Sequence, residues 1–480
     1  MASHHPLKIS SLDGGMISAF PVTVIPQEEG FTRMLFNFDF DEIPGLLRKR
    51  YGIVELYDEL PGVIKGSYQF LKDGIEPFYI TAVGATVLAA DSEGTWEEIQ
   101  PVEWTDATAN SCAFVSLLGQ LIVSDGVNQP FTWDGTTATV LTDMPKAAYL
   151  TELRGRVFAA GISDDPLALR ASHVGDPTLW DVDDPAGNAF LVYPGGDGAI
   201  TSIITVEDTI LIGKKYSMHA LVGTTIHDFQ VIPIDLTIGV GSHWTVMHIR
   251  GAAYYLSSEG EVYSIEAGAR PARLTGVIQD ITREINLSRI KESRAAVMEK
   301  YHYVITVPVG ETGFYTLIYD IIRKRWRMSD LHIGSSAVSA EVLGYCFSYP
   351  AGKQLYNLNP TNNFDYRFGR TYLIPAYLET IEYHLGFPDA EKEVNNLWLG
   401  VWLGDKEYTL RVEARCDDGE WFDITPLGVL VPEGKGFYRR VKIHVGRRCY
   451  NIQFRITNEG LDEPFKLLDM IVSFIPKEVE

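Results

Sequence analysis

The sequence predicts an all-β fold, in which a β-propeller of about seven blades is followed by a C-terminal β-sandwich. A pair of strands joined by a tight turn recurs about every 35–53 residues between residues 77 and 360. Beyond residue 365 this repeat stops and longer alternating strands follow. A hairpin repeat of this length is typical of propeller blades, because each blade is one small antiparallel sheet. The chain is 46% hydrophobic and 22% charged, which is the ordinary balance of a globular protein.

The repeat is defined by its turns and by the strands that follow them. The turns centre on Gly84, Gly119, Gly155, Asp208, Gly251, Lys300 and Gly344. The strands that follow are rich in β-branched, aromatic or small residues and cover 85–90, 121–124, 156–160, 209–212, 252–256, 301–306 and 345–349. Seven such copies predict seven blades.

The segments around the repeat complete the predicted organisation. Residues 1–60 are expected to form an N-terminal docking segment whose last strand pairs with the final blade and closes the ring, which removes exposed strand edges. Residues 61–365 form the propeller, and apolar residues at helical spacing predict one amphipathic helix across 276–294. Residues 366–480 are expected to form a separate β-sandwich with strands at 408–415, 438–445 and 451–457.

Composition limits the partners and cofactors. The net charge is −22 and the pI is about 4.9, which disfavours tight non-specific DNA binding, because such binding needs a basic face. No run of about 18 apolar residues is present, and the N-terminus has no apolar signal-peptide core, so no membrane partner and no secretion are expected. Cys112, Cys346, Cys416 and Cys449 are scattered singly and are expected to be reduced, buried thiols.

No catalytic or cofactor motif is found. The histidines show no HExxH spacing, and the nucleophile-elbow, phosphate-loop and dinucleotide-binding patterns are missing, so we expect no enzyme activity and no cofactor. Two acidic clusters, Asp39-Asp41-Glu42 and Asp181-Asp183-Asp184, fit solvated loops, a calcium loop or paired catalytic acids. Two Asp-Gly-Trp turns, at 91–96 and 417–421, resemble the Asp-box turns of sialidase-type propellers and are expected to be structural.

Basic clusters stand out against the acidic background and are the candidate site. The first is Arg48-Lys49-Arg50. The predicted subunit-interface or DNA-facing residues are Arg323, Lys324 and Arg325, followed by Arg327, and Arg439, Arg440, Lys442, Arg447 and Arg448 on a predicted strand pair. They fit a solvated strand face, a salt-bridging interface with another subunit, or weak phosphate contacts with passing DNA.

Several short strings in chain order resemble one protein family. They are residues 37–40 followed by 45–53, the string LTELRGRVFA at 150–159, the string GDPTLW at 175–180, and residues 449–457 followed by 467–472. The stretch 254–307 is similar in the order and spacing of its predicted elements. Together they resemble the tail hub or nozzle ("packaged-DNA stabilisation") proteins of short-tailed (podovirus) bacteriophages. The resemblance covers most of the chain by layout.

The resemblance implies a structural virion protein located in the phage tail and made in the host cytoplasm. It implies a homo-oligomeric, six-fold ring beneath the portal and adaptor proteins, which continues the channel, retains packaged DNA and docks fibre, spike or needle proteins. The alternative is a propeller-based glycan-binding or glycan-cleaving protein with an appended sandwich. A WD-repeat scaffold is disfavoured because Trp-Asp occurs only at 133–134 and 180–181 and Gly-His does not occur.

Overall fold

Nearly all regular structure in this protein is β-strand. The computed structural model describes residues 5–21, 24–91, 94–106, 111–183, 188–196, 198–334, 337–340, 344–434 and 438–477. The strands that precede the repeat are β1 (His5–Ile9), β2 (Gly15–Met16), β3 (Phe31–Phe36), β4 (Phe38–Phe40), β5 (Leu47–Lys49) and β6 (Gly52–Leu56).

Five antiparallel sheets of four strands follow in chain order. The first two are β7 (Ile64–Phe70), β8 (Phe78–Val83), β9 (Thr86–Ala90), β10 (Trp96–Glu98), and β11 (Ala113–Leu117), β12 (Gln120–Ser124), β13 (Phe131–Trp133), β14 (Ala138–Val140). The third and fourth are β15 (Ala147–Leu153), β16 (Arg156–Ile162), β17 (Leu169–Ala171), β18 (Phe190–Val192), and β19 (Ile200–Val206), β20 (Thr209–Lys214), β21 (Met218–Val222), β22 (Gln230–Asp235). The fifth is β23 (Met247–Ile249), β24 (Ala252–Leu256), β25 (Val262–Glu266), β26 (Ala272–Arg273).

Two further blades complete the propeller. The sixth is β27 (Arg294–Met298), β28 (His302–Val309), β29 (Gly313–Asp320) and β30 (Arg325–Ser329), and the seventh is β31 (Ala337–Ala340), β32 (Gly344–Ser348) and β33 (Leu355–Asn359) together with β6. The first strands of consecutive blades contact one another, and β31 contacts β7, so the ring is closed. Pairing of β33 with β6 supplies the outermost strand of the last blade from the N-terminal part of the chain.

Burial in the blades explains why the repeat is readable in the sequence. The second strand of a blade lies between two neighbouring blades, so both of its faces are covered; β16 and β24 are almost entirely buried. A strand covered on both faces is apolar along its length rather than alternating. The first copy is out of phase: Gly84 lies between β8 and β9, the second and third strands, whereas Gly119 and Gly155 lie between first and second strands.

The predicted helix across 276–294 is wrong as a single element. The structure has 3-10 turns at Thr275–Ile278 and Leu287–Glu292, with only α1 (Gln279–Thr282) as α-helix. The predicted apolar positions Ile278, Ile281 and Ile285 are nevertheless buried in the largest core cluster. The helix ends because Ile285 pairs with Val309 at the edge of β28, which draws the chain into an extended conformation.

The remaining strands form a separate hairpin and most of the sandwich. The hairpin is β34 (Phe364–Arg367) with β35 (Arg370–Leu373). The sandwich strands are β36 (Ala376–Thr380), β37 (Lys392–Trp402), β38 (Tyr408–Cys416), β39 (Phe422–Asp423), β40 (Val429–Val431), β41 (Tyr438–Cys449), β42 (Ile452–Asn458) and β43 (Lys466–Pro476). One layer has the order β4-β5-β43-β37-β41, with β1 also on β43. The other contains β3-β36-β42-β38-β39, so strands from both ends of the chain build the sandwich.

The sandwich is fused to the propeller through a shared sheet. Strand β3 pairs with β30 of the sixth blade on one side and with β36 on the other, which makes one continuous sheet of eleven strands. A single hydrophobic cluster therefore runs from Tyr303 and Trp326 in the sixth blade to Leu399 and Phe454 between the sandwich layers. The two parts have no separate cores at this junction, and their relative position is fixed by packing.

Candidate functional site

The basic residues of β41 lie along a free strand edge of the sandwich. Strand β41 pairs with β37 on one side and, among the described strands, has no hydrogen-bonded neighbour on the other. Ile443 and Val445 point into the core, while most of the other side chains of the strand are exposed. We call Arg439, Arg440, Lys442, Arg447 and Arg448 the basic edge. A long unpaired edge with positive charges resists unspecific pairing and leaves those charges available to a partner.

The cations of the basic edge differ in how they are held. Arg440 lies 3.2 Å from Asp469 and donates to the Tyr438 hydroxyl, and that hydroxyl donates to Asp469 at 2.9 Å. Gly400 makes this cluster possible, because an added Cβ would overlap the Asp469 carboxylate and approach the Tyr438 ring. Because Asp469 is buried, its pairing with Arg440 lies within the subunit, and the Arg440 guanidinium is already occupied there.

The other basic-edge residues are more available. Arg448, which is largely exposed, lies 3.7 Å from the partly buried Glu393. Lys442 lies over the Trp398 ring at 5.2 Å, and Arg447 over the Phe422 ring at 4.7 Å. Within the part of the chain that the structure describes, Arg439, Lys442 and Arg447 form no salt bridge. These three cations are therefore free to pair with an acidic surface.

Arg323, Lys324 and Arg325 lie apart from the basic edge, at the turn between β29 and β30. Arg323 donates to Asp320 at 2.9 Å and to the Asp41 carbonyl at 3.0 Å. The guanidinium of Arg325 stacks over the Phe31 ring at 5.2 Å. Lys324 occupies the left-handed turn position with φ of 56°. Two of these three cations thus join the turn to the N-terminal strands, and Lys324 projects from the turn.

Arg323 also borders a large cavity, which we call the junction groove. It has a volume of about 860 Å³ and lies between the sandwich and the sixth and seventh blades. Its walls carry Asp41, Arg48, His302 and Lys466. Asp41 and Lys466 are 3.2 Å apart, and His302 contacts Asp320 at 3.4 Å. Charges of both signs face one another across this groove, which suits a polar protein segment better than a nucleic-acid backbone.

The cluster Arg48-Lys49-Arg50 is internal. Arg50 is 3% exposed and pairs with Asp365 at 2.7 Å and with Asp330 at 2.8 Å. Burial lowers the pKa of Arg50, but the two carboxylates outweigh it and raise the pKa above the usual value. Lys49 donates to Asn458 at 2.9 Å and to the Gly460 carbonyl, and its burial lowers its pKa to about 8.

Asp39 and Asp41 of the acidic cluster at 39–42 belong to the same interior network, whereas Glu42 is exposed. Arg327, buried in the sixth blade, donates to Asp39 at 2.7 Å, and Arg48 lies 3.6 Å from the same carboxylate. Burial acts to raise the pKa of Asp39, but Arg327 and Arg48 prevail and lower it. The chain therefore uses these acids to balance buried cations. In the second cluster, Asp181 accepts from the Asp183 amide at 2.9 Å, and Asp184 lies outside the described residues.

The remaining sequence features are local. Asp91 accepts from the Thr95 amide at 3.0 Å within its own turn, whereas Asp417 accepts from the Asn451 amide at 2.7 Å in a neighbouring turn. Cys416 and Cys449 are close enough for their thiols to hydrogen-bond, and this contact lowers the pKa of Cys416. Their contact joins the ends of β38 and β41, a proximity that their spacing in the sequence does not reveal.

No group of three or more His, Cys, Asp or Glu side chains in the described ranges could hold a metal ion. Likewise, no described helix has the length and apolar character needed to cross a membrane.

Comparison with known proteins adds little to this description. No protein-family model matches the chain, and neither does any curated protein. The extracellular domain of the putative one-component system BT4673 from B. thetaiotaomicron is similar at 10% identity over 85% of this chain and 60% of that one, with a TM-score of 0.43. The computationally designed Ika8 protein is similar at 12% identity over 73% of this chain and 99% of its own, with a TM-score of 0.40.

A third similar structure is PorZ, a surface component of the type-IX secretion system of Porphyromonas gingivalis. It matches at 11% identity over 78% of this chain and 46% of its own, with a TM-score of 0.37. The chain thus spans less than two thirds of the BT4673 domain and of PorZ. At these identities and TM-scores the similarities carry no inference about what this protein does.

Proposed function

We propose that this protein is a structural subunit of a short bacteriophage tail, a hub or nozzle that assembles as a ring. The ring continues the portal channel, retains packaged DNA and docks other tail proteins, and the subunit performs no catalysis. The proposal joins the sequence resemblance to a single structural observation: on a chain of net charge −22, the exposed basic-edge residues Arg439, Lys442 and Arg447 form no salt bridge with any described residue.

The basic edge suits a contact between copies of this chain. A ring closed by rotation needs two different complementary faces on each subunit. Each copy has a basic strand edge and, because the chain is strongly acidic, ample negative surface for the next copy to offer. Such complementarity fixes register and speeds association more than it adds affinity.

Two features suit a channel that must withstand mechanical force. The closed propeller and the sandwich share one sheet and one core, so a subunit transmits force without relative motion of its parts. The overall negative charge disfavours adhesion of DNA to the surface, so DNA passing through the lumen would not be gripped by its phosphates. The copy number of six comes from the resemblance alone.

The test is negative-stain electron microscopy of the purified protein, alone and with a portal–adaptor complex from a short-tailed phage. Six-fold rings, free or on the portal, are expected. The variant R439E/K442E/R447E should lose ring formation, since it reverses the three unpaired cations. The matched control K146E/R270E/K353E makes the same change in net charge at exposed propeller positions and should still form rings.

Arg440 is left out of the test variant because it is tied to Asp469, so its reversal would disturb the fold as well as the edge. Single particles that ignore the portal would overturn the proposal and favour the glycan-binding alternative. Rings formed equally well by both variants would show that the basic edge is not the interface.

A further inference from the structure

A second cavity lies at the opposite face of the propeller from the junction groove. It has a volume of about 380 Å³ and sits where the first strands of the blades begin. Its walls include Ser111, Tyr149, Thr201, His243, Trp244 and Arg294, which come from five consecutive blades. Because those strands surround the propeller axis, we call this cavity the axial pocket. It is independent of any role in a phage tail.

One wall of the axial pocket is aromatic. The Tyr149 and His243 rings lie 4.3 Å apart and are tilted by 33°. Trp244 meets His243 edge-on at 4.8 Å. Burial, followed by the charge of Arg294, lowers the pKa of His243 to about 3, so the imidazole is neutral at physiological pH. The wall is thus uncharged and built of three rings, of which Trp244 stands nearly perpendicular to His243, so a planar group can pack against the face of one ring.

Arg294 supplies a positive charge beside this wall. Its Nη1 donates to the carbonyls of Lys291 and Ser293, and its Nη2 donates to the Ser111 hydroxyl at 2.9 Å. Its Nε is buried and, among the described residues, has no acceptor. The guanidinium also lies 5.9 Å from the Trp244 ring.

Arg294 is only partly buried and forms no salt bridge within the described part of the chain, whereas the buried Arg50 and Arg327 do. Glu292 raises the pKa of Arg294 through its charge, but its carboxylate pairs with Arg289 at 2.7 Å. Burial lowers the pKa of Arg294 to about 10, which still leaves it protonated at neutral pH. Asp125, the acid on the pocket wall, accepts the amides of Val127 and Asn128 in its own turn. A partly desolvated cation without a salt-bridge partner is unfavourable, and a bound anion would offset part of that cost.

We propose that the axial pocket binds a carboxylate attached to a flat ring, with the carboxylate on the Arg294 guanidinium and the ring against Trp244. Arginine binds carboxylates strongly because its N–H groups match the two oxygens. The volume suits a small molecule or the end of a peptide. The carboxylate comes either from a free aromatic acid or from a C-terminal aromatic residue of a protein segment.

Isothermal titration calorimetry distinguishes these cases. The probes are benzoate with benzamide as its neutral match, and N-acetylphenylalanine with its amide. We expect an acid to bind with a Kd of about 1 mM or tighter and its amide to bind at least about tenfold more weakly. Tighter binding of benzoate indicates a free acid as the ligand, and tighter binding of N-acetylphenylalanine indicates a protein C-terminus.

Two substitutions locate the binding. Arg294→Lys keeps the charge but removes the planar fork, and Trp244→Leu removes the ring surface; each should weaken binding about tenfold or more. Arg273→Lys, at an exposed salt bridge outside the pocket, should leave binding unchanged. The proposal is overturned if no acid gives saturable heat up to about 20 mM, if acid and amide bind equally, or if neither pocket substitution weakens binding.

Discussion

Replacing Arg50 by methionine should destabilise the protein by about 3–5 kcal/mol. The guanidinium donates to both oxygens of Asp365, at 2.8 and 2.7 Å, and contacts Asp330 at 2.8 Å. Asp365 is 0% exposed, so without Arg50 its carboxylate loses its main partner and gains no water. Removing one partner of a buried pair leaves an uncompensated charge, which sets the expected cost.

The measurement is urea unfolding followed by tryptophan fluorescence, on the native protein, R50M, D365N and the double variant. Because the two side chains act as one unit, the double variant should lose less than the sum of the single losses, by about 1 kcal/mol or more. The control is R411M: Arg411 pairs with Asp423 at 2.9 Å, but its side chain is 56% exposed. That exposed pair should cost below about 1 kcal/mol.

The location of Arg50 makes the result informative about the whole molecule. Arg50 lies between β5 of the sandwich and β6 of the seventh blade, and its partner Asp330 follows β30 of the sixth blade. A loss for R50M as small as that for R411M would refute the reasoning. Strictly additive losses in the two single variants would do the same, since they would show that the pair is not coupled.

Three further predictions concern packing and titration. Gly400→Ala should cost about 1–3 kcal/mol in urea unfolding because the new methyl group overlaps Asp469, whereas Gly195→Ala, where it meets nothing, should change stability by less than about 0.5 kcal/mol. The pKa of Lys49 is lowered to about 8, so between pH 8 and 10.5 the unfolded state binds more protons than the native state. The stability of the native protein relative to K49M should therefore rise across that range by up to about 3 kcal/mol. A stability difference between the two proteins that does not change with pH contradicts this. The pKa of His243 is lowered from 6.5 to about 3, so native stability relative to H243Q should fall by about 3 kcal/mol between pH 6.5 and 4. A constant difference would refute the neutral state of this imidazole.

The fold class was readable from the sequence because its signal is local. A second strand such as β16 is buried on both faces and follows a turn with Arg154 and Gly155 at positive φ, so an apolar run after a glycine marks the blade. The repeat in the sequence is out of phase in the first blade, because the first connection of that blade, at 71–77, is long and its tight turn joins the next pair of strands. The apolar spacing across 276–294 predicts a helix that does not form, because the long-range pairing of Ile285 overrides this local pattern.

The role of the basic residues was less readable because their partners are distant in the chain. Arg50 is separated from Asp330 by 280 residues and from Asp365 by 315, so a basic run in the sequence became a buried network. In contrast, the basic edge follows strand alternation: Lys442 is exposed and Ile443 and Val445 are buried, as a half-buried strand predicts. The sequence therefore predicts which basic residues of the strand are exposed, but it does not show that Arg440 pairs with Asp469.

The cations of this chain therefore fall into two classes with different sensitivity to salt. Those at the junction of sandwich and propeller, such as Arg50 and Arg327, are almost fully buried with carboxylate partners, and buried pairs are screened little by added ions. Those of the basic edge, such as Arg439 and Lys442, are exposed, and interactions between exposed charges weaken as the screening length shortens. Added salt should thus weaken any contact made through the basic edge well before it weakens the fold. An assembly built on that edge can form and dissociate while each subunit remains the same rigid body.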